Sequence, residues 1–233
     1  MTDEADWIPG AIDNAWIEAI SPPLSAVAVA IQAAADPHGI PIVDRAVGRM
    51  LNVLAVGRSR IVEIGTAYGY STLWIALGQG PDGTIVTVDP DRGRTDLARR
   101  WWHEAGVADA RIVQVSAAAL DAFAADEAAL AGPFDLAFID AVKVEYDAYL
   151  DALIDGHRLA PGALVVADNV LWGGAVSGAR PSERSDAATR ALRSFCERVL
   201  ADRRFSATIL PIGDGLLVAA WRGASADTGT GAP

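Results

Sequence analysis

Asp140, Asp168 and Asn169 end apolar runs and are hard oxygen donors of the kind that hold a divalent cation such as Mg²⁺. Such a site would leave other octahedral positions to water and to the oxygens of a substrate. Lys143 lies three residues past Asp140. Beside a cation its ammonium form is disfavoured, so the amine could act as a general base; taken alone, it is an ordinary solvated lysine. A second group precedes these. Glu63-Ile64-Gly65-Thr66-Ala67-Tyr68-Gly69, directly after Ile61-Val62, has the composition of a buried strand running into a glycine-rich turn. A dinucleotide fingerprint is G-x-G-x-x-G, whereas this stretch is an acid, one residue, a glycine, three residues and a glycine. An acid there repels a pyrophosphate and suits a cationic ligand, such as the ammonium and sulfonium of S-adenosylmethionine. Asp89 follows Gly65 by 24 residues, near the spacing at which a strand-end carboxylate receives ribose hydroxyls. Its other reading is a cap for the helix from Arg94 onward.

These residues need a scaffold that brings strand ends together. From residue 60, apolar runs rich in valine and isoleucine alternate with helix-sized segments, the pattern of strands joined by crossover helices. The runs are Arg60 to Ile64, Thr84 to Val88, Arg111 to Val115, Phe134 to Ile139, Ala163 to Ala167, Ser206 to Leu210 and Leu216 to Trp221. Only the turn-like Pro211-Ile212-Gly213-Asp214-Gly215 joins the last two, which predicts an antiparallel edge hairpin on a mostly parallel seven-stranded sheet. The fold class is therefore α/β, doubly wound and Rossmann-like. Leu24 to Ala35 and Val43 to Val56 are expected as helices, with residues 1 to 40 forming a helical extension of one domain. The first six residues are expected to fray, and the small, polar tail from Gly223 to Pro233 to be disordered.

Composition excludes several classes. The chain has 233 residues, enough for one large core at 52% hydrophobic content. Nineteen basic against thirty acidic residues give a net charge of −11, which argues against nucleic acid as a partner. Cys196 is the single cysteine, so no internal disulfide forms and a packed thiol is expected. His38, His103 and His157 are scattered away from it, which fails the ligand pattern of zinc. Trp101 and Trp102, beside His103, are expected to pack on the sheet and not to stack on bases. The acidic beginning lacks the charge of a signal peptide, and the apolar stretch Leu24 to Ala34 is too short for a bilayer. A cytoplasmic protein without membrane partners is the expectation.

From about residue 41 to Arg222 the chain resembles the class I S-adenosylmethionine-dependent O-methyltransferases of the cation-dependent type, which include the catechol and caffeoyl-coenzyme A enzymes. Val62-Glu63-Ile64-Gly65-Thr66, Phe134 to Ala141, Asp168-Asn169-Val170-Leu171-Trp172-Gly173-Gly174 and Pro211 to Leu216 carry the resemblance in order. It implies that Glu63, Gly65, Tyr70 and Ser71 hold the methionine end of the cofactor, Asp89 the ribose, and Ala117 the side of the adenine. It implies Asp140, Asp168 and Asn169 as metal ligands, with Asp140 also bordering the cofactor, and Lys143 as the catalytic lysine. The implied acceptor is a small vicinal-dihydroxy aromatic, and the implied assembly a homodimer. Bacterial relatives usually read Asp-Ala-Asp-Lys and then Asn-Tyr, where this chain has Asp140-Ala141-Val142-Lys143 and then Glu145-Tyr146. Val142 is expected to alter adenine or acceptor contacts and to leave the metal in place. The loop Trp172 to Ser182 matches the variable segment that shapes the acceptor pocket. Two other readings stand beside this one: a metal-independent methyltransferase, and a non-catalytic S-adenosylmethionine-binding protein.

Overall fold

A computed structural model describes residues 10–180 and 186–223. The expected frayed start, Trp7, Pro181, Ser182 and the tail beyond Gly223 fall outside the described residues. Three helices come first: α1 (Ala11–Ile20), α2 (Ala26–Ala35) and α3 (Arg45–Ala55). Strands and helices then alternate as β1 (Arg60–Ile64), α4 (Tyr70–Gly78), β2 (Thr84–Val88), α5 (Arg92–Glu104), β3 (Ile112–Val115), α6 (Ala119–Ala124), β4 (Phe134–Ile139), α7 (Tyr146–Asp155) and β5 (Leu159–Ala167). The chain closes with α8 (Asp186–Ala201), β6 (Phe205–Leu210) and β7 (Leu216–Trp221).

The sheet order is β3-β2-β1-β4-β5-β7-β6. β3 to β5 run parallel, while β7 lies antiparallel between β5 and β6. The predicted edge hairpin is therefore present, and its second strand is the one that joins the sheet. The central strands are buried on both faces, and their side chains alternate between two layers. Ile61, Leu136 and Phe138 pack toward α2 to α5, whereas Val62, Ala137 and Ile139 pack toward α6, α7 and α8. Strand order reverses between β1 and β4, where crossovers leave in opposite directions and open a crevice at the carboxyl ends.

Most expected boundaries agree within two residues. Ser25 and Asp44 accept from Ala28 N and Ala46 N, so α2 and α3 begin two residues later than apolar content alone predicts. β5 begins at Leu159, earlier than Ala163, because the exposed Pro161-Gly162 stretch is carried by a register shift opposite Phe134 and Leu136. α1 has no buried residue, which is why core periodicity did not mark it, and its hold on the body is ionic. Glu18 takes Arg45 at 2.9 Å and Arg49 at 2.6 Å, and these side-chain bonds hold its carboxyl at about 2.

α3 and α4 approach closely because glycine lies at their crossing. A Cβ on Gly78 would stand 2.0 Å from the Asn52 carbonyl oxygen, and Asn52 Nδ2 returns a 3.0 Å bond to Trp74 O. Gly78→Ala is expected to destabilise the fold by roughly 1 to 3 kcal/mol through forced separation of the two helices. Gly80→Ala, where a Cβ meets open space, should change stability by less than about 0.5 kcal/mol. Urea unfolding of the two variants checks the contrast.

Candidate active site

Strand ends are set side by side by the backbone ladder continuing past them. Gly65 N donates to Val88 O at 2.9 Å, Asp140 N to Ile64 O at 2.9 Å, Asp89 N to Val115 O at 3.1 Å and Asp168 N to Ile139 O at 3.1 Å. Four of the residues singled out from sequence thus surround one crevice. It is a cavity of about 1000 Å³, and its lining includes Gly65, Tyr70, Ser71, Asp89, Asp140, Lys143, Asp168 and Asn169. Such a volume suits a cofactor and an acceptor together.

Gly65 is obligatory at the floor of this crevice. Its φ is +105°, and a Cβ would lie 2.1 Å from the Asp140 carbonyl oxygen. Gly69, at φ +74°, starts α4, and its carbonyl accepts from Trp102 Nε1 at 2.9 Å. Trp102 is accordingly a core residue, as expected.

Glu63 is placed differently from the other candidates. It lies within β1, one residue before the strand end, is fully buried, and stands behind the cavity wall. Its carboxylate accepts from Ser71 Oγ at 2.6 Å, Thr87 Oγ1 at 2.6 Å and Thr72 Oγ1. Thr87 spends its proton on Glu63, so in the 2.6 Å contact between Thr66 and Thr87 it is Thr66 that donates. Three elements and the turn are tied to one acid. Burial pushes the Glu63 carboxyl up to about 7 against the opposing pull of the three hydroxyls.

Asp89 binds the turn from its other side. Oδ2 accepts from Ala67 N and Oδ1 from Asp91 N, each at 2.9 Å, while the residue still borders the cavity. Capping of α5 belongs to Asp91, whose side chain accepts from Arg94 N. Ala117 does not border the cavity; Ala118 and Ala119 do. The difference follows from the extended backbone at Ala118, after which α6 begins.

At the opposite end Lys143 Nζ donates to Asp140 Oδ1 at 2.6 Å and to the Tyr146 hydroxyl at 2.8 Å. That hydroxyl donates to Asp168 O at 3.1 Å from a fully buried ring. Asp168 accepts from Asn169 N at 2.7 Å, and burial first, then the Asp140 charge, pushes its carboxyl up to about 7. Asn169 takes a positive φ of 59° and borders the same space. No cluster of three or more His, Cys, Asp or Glu side chains able to share a metal occurs among the described residues. The candidate set is two carboxylates and one amide. Two mutually repelling acids with a hard amide oxygen nearby fit a hard divalent cation, the role that the Lys143 ammonium fills beside Asp140 in this structure.

Several wall residues were not singled out from sequence: Asp44, Arg94, Tyr149 and Asp214. Asp44 and Asp214 arrive from segments far along the chain, so no spacing connects them. Tyr149 carried a local signal, one helical turn after Glu145. No helix among the described residues is long and apolar enough to cross a membrane.

The raised Glu63 carboxyl makes stability depend on pH. Its folded value, about 7, lies above its ordinary 4.5, so its contribution is fully present below about 4.5 and is lost as pH rises through about 7. Glu63→Gln should flatten this fall in urea-unfolding free energy between acidic and mildly alkaline buffer. Asp168 adds a slope of the same sign in both proteins, so the difference between the two curves isolates Glu63.

Known proteins share both the sequence and this architecture. Residues 30–221 match the family model described as O-methyltransferase. The catechol O-methyltransferase of Mycobacterium tuberculosis is 39% identical over 170 residues, covering 71% of this chain and 74% of that protein. The O-methyltransferase TomG from Streptomyces achromogenes, involved in tomaymycin synthesis and solved with S-adenosylmethionine, superposes with TM-score 0.77 at 30% identity, over 90% of this chain and 95% of that one. An O-methyltransferase from Bacillus cereus, solved in complex with SAH, superposes with TM-score 0.77 at 29% identity, over 91% and 97% of the two chains. With a matched region that runs from within α2 to the end of β7, the chain belongs to the O-methyltransferase family.

Proposed function

We propose that the enzyme transfers the methyl group of S-adenosylmethionine to one hydroxyl of a vicinal-dihydroxy aromatic acceptor, with a divalent cation at Asp140, Asp168 and Asn169. The single observation that carries this reading is the convergence of those three residues and Lys143 on the cavity that the glycine turn also borders. The complexes of TomG with S-adenosylmethionine and of the Bacillus cereus enzyme with SAH support the choice of donor.

The first residues of α4 offer backbone N–H groups for the carboxylate of the methionine end, while Gly65, Ala67 and Gly69 in the turn before them already donate theirs to Val88, Asp89 and Thr66. Asp89 retains lone pairs beyond its two backbone bonds, enough to receive ribose hydroxyls. Glu63 contributes from behind the wall, as a carboxylate whose field favours a sulfonium and an ammonium. Ala118 and Ala119 offer a small apolar wall for the adenine. In the transfer, the acceptor oxygen forms a bond to the methyl carbon as the carbon–sulfur bond breaks; the sulfonium becomes a neutral thioether, and the hydroxyl proton passes to Lys143 Nζ acting as the neutral amine, which leaves as the ammonium. Asp140, Asp168 and Asn169 would hold the cation, whose charge would acidify the acceptor hydroxyl. Tyr146 keeps the lysine aimed while its charge changes. Orienting the acceptor is worth on the order of 7 to 11 kcal/mol, more than the roughly 10²- to 10⁴-fold usual for a general base.

We also infer a homodimer, consistent with the exposed face of Ile12, Trp16, Ile17 and Ile20 on α1. Light scattering should return twice the chain mass.

Chelation should abolish methylation of catechol, and added Mg²⁺ should restore it; activity that survives thorough metal removal would support the metal-independent reading instead. Under saturating substrate, Asp140→Ala is expected to lose more activity than Lys143→Ala, with the lysine variant down by about 10²-fold or more. Equal or reversed losses would contradict this division of labour.

A further inference from the structure

Six carboxylates border the cavity, Asp44, Asp89, Asp140, Glu145, Asp168 and Asp214, against two cations, Arg94 and Lys143. Both cations are paired, Arg94 with Asp91 at 3.0 Å and Lys143 with Asp140 at 2.6 Å. Most of the acids have structural or chemical work. Asp44 caps α3, Asp214 accepts from Gly173 N at 2.5 Å, and Asp89, Asp140 and Asp168 serve the donor and the metal in the reading above.

Glu145 is different. It occupies the residue before α7, where an acid could cap the helix, yet its side chain makes no capping bond. It accepts instead from the Tyr149 hydroxyl at 2.5 Å, one turn along α7. Tyr149 is 2% exposed, so the hydroxyl that holds Glu145 is fixed by the core. Burial, and then Glu145 itself, pushes that hydroxyl well up, which keeps it a donor. A carboxylate has about four acceptor positions, and the tyrosine fills one. No second protein donor to Glu145 occurs among the described residues. Glu145 borders the same cavity as Lys143, which stands two residues before it on a 3₁₀ turn.

We propose that Glu145, held by Tyr149, determines acceptor charge: it selects ortho-dihydroxy aromatics bearing a protonated amine over those bearing a carboxylate. The proposal rests on the catechol-methylating reading and deepens it. An ammonium brought to this wall gains a charge-assisted hydrogen bond. An acidic acceptor loses hydration there and meets a like charge without compensation. Much of the selectivity is thus rejection of the wrong acceptor. Tyr149 is a positioning residue, since it acts through Glu145.

The test is steady-state methylation of dopamine, catechol and dihydrocaffeate with S-adenosylmethionine and Mg²⁺, the first and last sharing ring and tether but differing in charge. Wild-type kcat/KM should favour dopamine over dihydrocaffeate by on the order of tenfold or more. That ratio should fall by about fivefold or more in Glu145→Gln, chiefly through KM, and by less in Tyr149→Phe. Each kcat/KM is also expressed relative to that for catechol with the same protein, and binding of S-adenosylhomocysteine verifies that each variant is folded. Equal use of dopamine and dihydrocaffeate by wild type, or an unchanged ratio in folded Glu145→Gln, overturns the proposal. Methylation of catechol without amine preference overturns this proposal alone; failure to methylate catechol at all overturns the parent reading with it.

Discussion

A carboxylate with no access to water, Glu63, anchors the glycine-turn side of the crevice. Burying an acid is costly unless its oxygens find donors. Here they find Ser71 and Thr72 at the start of α4 and Thr87 on β2, with Thr66 of the turn donating onward through Thr87. One group thereby couples the central strand, its neighbour, the following helix and the loop between them. Removing any one hydroxyl would leave part of the charge uncompensated, so the arrangement is all or none in character. The same burial raises the carboxyl to about 7, and a cationic ligand across the turn would favour its ionised form.

The second constraint is the contact between the two halves of the crevice. Gly65 lies so near the Asp140 carbonyl that no side chain fits between them. Asp140 thus contributes its backbone to the floor of the glycine turn and its side chain to the ion pair with Lys143. Parallel ladders on either side of β1 set this closeness, because they carry Gly65 and Asp140 to the same height at the strand reversal. A shift of one residue in β4 would turn Asp140 to the opposite face and dismantle both halves at once.

Strands and their order of appearance were legible because a buried parallel strand leaves a short run of branched apolar residues, and a crossover helix leaves a longer segment after it. β1, β2, β4 and β7 have the predicted bounds for that reason. α1 fell within the expected helical extension but without bounds of its own, because its face is exposed and its attachment is by charge, through Glu18, Arg45 and Arg49. Ala117, Ala118 and Ala119 make a limit of another kind visible. A motif carries a position along the chain, but which of three adjacent alanines meets the cavity depends on where the backbone bends into α6.

Residue type and spacing alone determined the alternation of strand and helix, the acids at strand ends, the lysine three residues beyond one of them, and, from the single cysteine, the absence of an internal disulfide. These are local properties, fixed by period, composition and covalent neighbourhood. Tertiary structure decided the rest: that Glu63 faces inward to hydroxyls and not into the cavity, that Asp44 and Asp214 join the wall from distant segments, and that Tyr149 holds Glu145 at the cavity wall. The physical reason is that burial and hydrogen-bond partnership are properties of packed surfaces. Only the closed sheet and its flanking helices determine which side chains share a dry interior and which are left to meet a substrate.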